Sequence, residues 1–365
     1  MKDQLKFVQI LRGFAAIAVV LFHLDTQTLT YFNHSLLHFK YGYLAIDFFF
    51  ALTGFIITYA HLKDIEHKSS VKKFLLKRAV RIYPFYWLIL LIVIGLDSPE
   101  FHNKPTLRSA ISPTTLEGWI TIIKNIFLYP LPDTHMPVGI AWSLSYAIVF
   151  YIVFAVCIKQ GWKITRYIFI AWLLLVLINS LNIFPKTILT EVLAGNMIIE
   201  FLIGCVAGYL FVKDKWRINS VQMMFSFVAI AVLFAAYMLW QGLNRSDVIV
   251  TTLVGTASSL IIFSAASLDR EKKYKNYASS FLVLIGDASF SIFLTHIIFI
   301  PYICQGFNKL LNVSVVPDFF KIILIILVFF LTILAGIVTF LVIERPLLNF
   351  LRRRFRLKQK RKSWI

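Results

Sequence analysis

Charge is scarce in this sequence. Only 15% of its 365 residues are Asp, Glu, Lys or Arg, while 59% are hydrophobic and 16% aromatic; soluble domains carry about 25% charged residues. So little polar surface cannot cover the chain in water, which excludes a soluble globular protein. Acidic residues are scarcer still, 18 against 37 Lys and Arg, for a net charge of +19. The basic residues sit in short clusters between apolar runs, a pattern that argues for membrane topology and against nucleic-acid binding. Cysteine is nearly missing: Cys157, Cys205 and Cys304 stand isolated in apolar segments, in neither a CxxC nor a zinc spacing, so no disulfide is expected. There is no linker of Gly and Ser, no low-complexity tract and no repeat of fixed period. HExxH, GxSxG and P-loop motifs and metal-ligand clusters are missing too, which speaks against metal and ATP chemistry.

What is present is a series of apolar runs of spanning length, at about 7–25, 42–62, 82–97, 142–158, 167–184, 197–212, 220–241, 248–268, 281–304 and 319–343. These predict an all-α polytopic membrane protein with about ten transmembrane helices, read as one domain over 1–365. The first run contains Arg12 and His23 and is followed by no small-residue cleavage site, so it is expected to remain as a helix. With both termini in the cytoplasm, 29 of the 37 Lys and Arg fall in cytoplasmic segments, as the positive-inside rule requires. The basic tail from about 345 is then an anchor on the anionic inner leaflet. The outer loop at 98–141 contains LEGWITIIKNIFLYPLP, which is expected to lie in the interface rather than to cross.

Ionisable residues inside such runs cost about 2.5–3.5 kcal/mol each on insertion scales and mark functional positions. Arg12 and His23 are eleven residues apart in LRGFAAIAVVLFH, about three turns and 16 Å of rise, so they share a helix face. Asp47, near the outer start of the second run, lies at a depth similar to His23 and could orient the imidazole. Arg78 and Arg81 in KKFLLKRAVRIYPFYW share a face at the cytoplasmic start of the third run. Their planar guanidiniums suit phosphate; the alternative is that they are positive-inside markers alone, which would need no site. Pro84, with Tyr83, Tyr86 and Trp87, is expected to fix that helix's start. Later runs contribute Trp142, Ser143 and Tyr146, then Glu200, Asp287 and His296, with His296 at mid-span. Glu344 in IERP is expected to cap or pair.

The ordered set LRGFAAIAVVLFH, DFFFALTGFII, KRAVRIYPFYW, WSLSYAIVFY, GDASFSIFLTH and IERP, spanning 7–346, resembles the acyltransferase 3 family of membrane acyltransferases. WSLSY together with EFLIG is more similar to its surface-polysaccharide and exopolysaccharide branch. The resemblance implies an O-acetyltransferase of the bacterial cytoplasmic membrane, moving an acetyl group from acetyl-CoA to a hydroxyl of a polysaccharide or lipid-linked sugar. It implies catalytic roles for Arg12 and His23, to which the residue reading adds Asp47. It implies that Arg78 and Arg81, with Tyr83 beside them, help bind coenzyme A. Trp142, Ser143, Tyr146, Glu200 and His296 are then candidates for the acceptor side. Some relatives carry an extra C-terminal esterase-like domain, which is not expected here because the sequence stops after the basic tail.

One departure stands out. The family segment reads like WSLxxE, whereas here WSLSY is followed by Ala147; Glu200 could compensate from another helix. The expected mechanism has the nucleotide at Arg78 and Arg81, the pantetheine arm threaded toward His23, and His23 as general base or as an acyl-carrying nucleophile. Two rivals belong to other classes. A flippase for a lipid-linked sugar predicts matching broken helices in two halves, which the sequence does not display; a catalytically impaired assembly partner would explain Ala147.

Overall fold

Helix α1 (Lys6–Phe32) begins with amides that have no intrahelical partner, and the carboxylate of Asp269 satisfies them. Its oxygens accept from the backbone N–H of Phe7 at 3.0 and 3.1 Å and of Val8 at 3.5 Å. Asp269 belongs to the last turn of a helix far along the chain, so this contact ties the start of α1 to the end of that helix. In this computed structural model residues 5–35, 40–66, 71–95, 110–131, 135–214, 247–270 and 279–357 are described. Among them every regular element is helical. A 3₁₀ turn (Lys40–Tyr43) leads into α2 (Leu44–Glu66), followed by α3 (Val71–Gly95), α4 (Leu116–Ile126), α5 (Ala141–Gln160), α6 (Trp162–Ser180) and α7 (Ile188–Ala194). Then come α8 (Met197–Lys213), α9 (Val248–Arg270), α10 (Ser280–Asp287), α11 (Ser289–Leu311), α12 (Asp318–Thr339), a π-turn (Phe340–Glu344) and α13 (Arg345–Arg354).

Nine spans among the described residues are long and apolar enough to cross a membrane, with α7 and α8 counted as one and α12 to α13 as one. They match nine of the ten expected runs; the tenth, at 220–241, lies outside the described residues. The chain is a multi-pass membrane protein. The start of α1 lies beside the ends of α2, α8 and α9, so α1 runs against these three, whose ends are joined by Lys213 to Glu66 at 2.6 Å and Arg270 to Asp214 at 3.0 Å. Helix α6 buries only Thr165, Trp172 and Val176 and turns its remaining apolar surface outward.

In lipid, helix association depends on close packing rather than on escape from water. Helices α2 and α8 cross in backbone contact, where a Cβ on Gly54 would stand 2.1 Å from the Phe201 carbonyl oxygen and one on Gly204 would stand 2.0 Å from that of Ala51. Only glycine lets these backbones touch. Beside the crossing, Phe150 stacks on Phe201 at 4.7 Å and Phe50 packs on Phe201 at 4.7 Å, filling the centre of the bundle with rings.

Two boundaries differ from expectation. Helix α3 starts at Val71, eleven residues before the expected 82, and Pro84 lies inside it rather than at its start. The stretch from Val71 is itself amphipathic and buries Phe74, Val80, Ile82 and Phe85; that packing outweighs the backbone hydrogen bond lost at Pro84. Arg78 and Arg81 therefore sit about two to three turns inside a helix. The run at 281–304 is broken at Ala288 into α10 and α11. The outer segment expected in the interface contains the eleven-residue α4, about 16 Å long and too short to span.

Candidate functional site

Arginines from α1 and α3 converge on one open cavity of about 1000 Å³, whose wall includes Arg12, Arg78, Arg81, Ser143, Ala147 and Tyr151. Each guanidinium is held by a different device. Arg12 Nη1 donates to Gln9 Oε1 at 2.9 Å, and Gln9 Nε2 donates to Asp287 at 3.1 Å. This relay depends on Gly286, where a Cβ would stand 2.0 Å from the Gln9 carbonyl oxygen, so α10 can lie directly on α1. Arg81 donates to Glu344, which the π-turn swings into the bundle. Glu344 is 0% exposed, and its other oxygen accepts from Ser291 Oγ at 2.5 Å. The expectation that Glu344 pairs is met, with Arg81 as the partner.

Arg78 donates to His61 Nε2 at 3.0 Å, while His61 Nδ1 donates to Asp64 at 2.5 Å. The carboxylate fixes the tautomer, leaving the Nε2 lone pair for Arg78. Sequence reasoning missed this relay, although the i, i+3 spacing of His61 and Asp64 was there to be read. Despite these partners, Arg78 Nε and Arg81 Nη2 are buried without a hydrogen-bond partner among the described residues. A buried unsatisfied donor on a charged group costs more than the 1–3 kcal/mol of a neutral one. Two on adjacent turns of one cavity wall are an arrangement for an anionic ligand.

Ala147 stands in the cavity wall where the family pattern has an acidic residue, so the missing carboxylate is missing from the cavity itself. Glu200 is fully buried on α8 and packs against Gly255 of α9, whose Cβ position lies 3.1 Å from the glutamate Cγ; it is outside the wall. Ser143 donates to the Ile140 carbonyl at 2.9 Å. Trp142 and Tyr146 lie beside the cavity, their rings 6.3 and 5.7 Å from Phe50, which lines it. Tyr83 stands apart: its hydroxyl donates to the Phe127 carbonyl at 3.1 Å, toward the α4 segment.

The histidines form a second centre. His23 on α1 and His296 on α11 have ring centroids 4.9 Å apart. His296 is fully buried, its Nδ1 donates to the Ile292 carbonyl at 3.3 Å, and its Nε2 has no partner among the described residues. Phe293, which lines the cavity, is 6.1 Å from the His296 ring, so the pair sits about one side chain behind the wall. Asp47 is buried in the first turn of α2, next to Ile46 of the wall. No group of three His, Cys, Asp or Glu among the described residues could hold a metal ion.

No solved structure matches the chain. A candidate O-acetyltransferase of Staphylococcus aureus (strain COL) is 25% identical over 323 residues, covering 80% of this chain and 50% of the relative. The chain thus spans about half the length of the S. aureus relatives it matches. The exopolysaccharide production protein ExoZ of Rhizobium meliloti (strain 1021) is 26% identical over 327 residues, 86% of this chain and 91% of ExoZ. The acyltransferase MdmB of Streptomyces mycarofaciens is 26% identical over 322 residues, 80% of this chain and 78% of MdmB. Residues 5–343 match the acyltransferase domain that defines the acyltransferase 3 family. Nearly the whole described bundle falls within that match, and the chain belongs to the acyltransferase 3 family of membrane acyltransferases.

Proposed function

We propose that this membrane acyltransferase moves an acetyl group from acetyl-CoA to a hydroxyl of a cell-surface or lipid-linked carbohydrate at the bacterial cytoplasmic membrane, and that residues 1–365 act as one domain. The observation that carries the reading is the pair of buried N–H groups of Arg78 and Arg81, without a hydrogen-bond partner among the described residues, in a cavity shared with Arg12. Asp287, Asp64 and Glu344 stand behind the three guanidiniums, and the N–H groups that these partners leave over are donors that the phosphates of coenzyme A would satisfy. The likeness to ExoZ, named for exopolysaccharide production, supports a carbohydrate acceptor.

In this reading the end of the bundle that holds the start of α1 faces the cytoplasm, as the basic residues require. The nucleotide binds at Arg78 and Arg81 and the pantetheine arm follows the cavity. The wall runs along α2 from Ile46 to Ile57, about 16 Å of helix and half of a hydrocarbon core about 30 Å thick. A donor held on one side can thus present its thioester far into the membrane. His23 takes the proton from the acceptor hydroxyl, whose oxygen attacks the thioester carbonyl. The carbon–sulfur bond breaks, and the proton returns to the coenzyme A sulfur. Asp47 orients His23, Arg12 positions the donor, and His296 Nε2 receives a hydrogen bond from the acceptor. Trp142, Ser143, Tyr146 and Glu200 shape the acceptor side. Such proton transfer is worth about 10²–10⁴ in rate.

The test is the O-acetyl content of surface polysaccharide, read by proton NMR from cells producing the parent or His23→Ala at matched membrane levels. The expected result is acetyl signal with the parent and a loss of at least about 10²-fold in the variant. Equal signals would remove His23 from the chemistry, and no signal from the parent would remove the transferase reading.

A further inference from the structure

A second, open cavity of about 1310 Å³ lies at the end of the bundle opposite the Lys213–Glu66 and Arg270–Asp214 pairs. It is built where α6 ends and α8 begins. Asn182 turns the chain in the left-handed region at φ 58°, a conformation asparagine tolerates better than other side chains. Thr187 then caps α7, and the end of α7 is braced against α6 by Trp172 Nε1 to the Leu193 carbonyl at 2.7 Å and Asn179 Nδ2 to the Ala194 carbonyl at 3.0 Å. The basin is therefore held open by hydrogen bonds. Its lining includes Tyr146, Asn179, Asn182, Lys186, Glu191 and Asn196.

This lining differs in kind from the arginine cavity. Amides and hydroxyls that both donate and accept predominate, with one ammonium and one carboxylate and no excess of positive charge. Such a set suits a polyhydroxylated ligand, whose hydroxyls also donate and accept; lipid would leave these groups unsatisfied. Tyr146 joins the two cavities. Its hydroxyl donates to the Glu191 carbonyl at 3.2 Å at the basin, while its ring packs at 5.7 Å on Phe50, which lines the arginine cavity. One layer of aromatic rings separates the two spaces.

We infer that this basin is the carbohydrate-binding site, and that the acceptor enters from this end and meets the donor at the Tyr146–Phe50 partition. The inference rests on the transferase reading above and places its acceptor. It is tested in a deletion strain complemented with the parent, with Lys186→Ala/Glu191→Gln, or with Ser180→Trp, which fills the basin that Ser180 also lines. O-acetyl content of the strain's own surface polysaccharide is measured by proton NMR, and acetyl-CoA affinity by calorimetry on the purified proteins in detergent. Both variants are expected to lose at least tenfold in acetylation while their acetyl-CoA Kd stays within twofold of the parent's. Acetylation within twofold of the parent in both variants overturns the assignment. So does a parallel loss of acetyl-CoA binding, which would make the basin part of the donor site or of the fold. Failure of the transferase reading is distinguishable, because it is seen in the parent, as missing acetyl-CoA binding or missing acetylation.

Discussion

At the arginine cavity every cation is fastened to the protein: Arg12 through Gln9 to Asp287, Arg78 to the His61–Asp64 relay, Arg81 to Glu344. At the opposite basin the lining is mostly neutral, and the bracing bonds run from Trp172 and Asn179 to backbone carbonyls. The difference follows from the cost of burying charge. A guanidinium in the bundle needs a counter-group before any ligand arrives, whereas an amide at the bundle's end needs only a backbone partner and can share its remaining valence with a ligand. One region is pre-organised for an anion; the other is suited to a neutral, hydroxyl-rich molecule.

The comparison breaks most visibly at Glu344. Replacing it with Ala leaves Arg81 as an uncompensated charge that is only 14% exposed, and removing one partner of a buried pair costs about 3–5 kcal/mol. Thermal unfolding in detergent should show Glu344→Ala as strongly destabilised, with Glu344→Gln intermediate because the amide oxygen can still accept from Arg81. An unfolding midpoint equal to the parent's in Glu344→Ala would mean that the pair does not hold the arginine cavity together.

Arg78→Gln tests the ligand side of the same cavity. Hydrogen bonds to charged groups are worth about 1.5–3 kcal/mol, so the acetyl-CoA Kd should rise about 10- to 150-fold. His61 loses only a donor to its Nε2, so the fold should persist. An unchanged Kd would return Arg78 to the role of a topological marker.

How much of this was legible in the sequence depends on whether a feature is periodic along one helix. The apolar runs gave away nearly every span, and the three-residue spacing of Arg78 and Arg81 placed them on one face. What lies opposite that face is not periodic. Glu344 reaches Arg81 through a π-turn, and a break at Ala288 seats Asp287 beside Gln9. Neither leaves a repeat in the sequence. The start of α3 was misplaced because hydropathy averages away the basic residues of an amphipathic first half, and because Pro84 reads as a helix start although its position is interior. The basin escaped notice because its lining comes from the end of α6, the turns on either side of α7, α7 itself and Tyr146 of α5, whose side chains meet only once the chain has folded back.

The smallest expected effect separates the two faces of α3. Arg78 and Arg81 line the cavity, but Tyr83, two residues further along, donates its hydroxyl to the Phe127 carbonyl, and its neighbours on that side, Tyr86 and Trp87, donate to the carbonyls of Asn125 and Ile126 at 3.0 and 2.9 Å. Three ring donors thus reach consecutive carbonyls at the end of α4, where intrahelical partners run out; the Asn125 carbonyl also accepts from the Leu128 N–H at 3.1 Å. Tyr83→Phe removes one of the three, at an exposed site, for about 0.5–1 kcal/mol, read as a slight fall in the unfolding midpoint. The acetyl-CoA Kd should stay within twofold of the parent's, in contrast to Arg78→Gln. A Tyr83→Phe variant that weakened acetyl-CoA binding tenfold would show instead that the α4 contact shapes the arginine cavity through α3, and would join the two faces into one site.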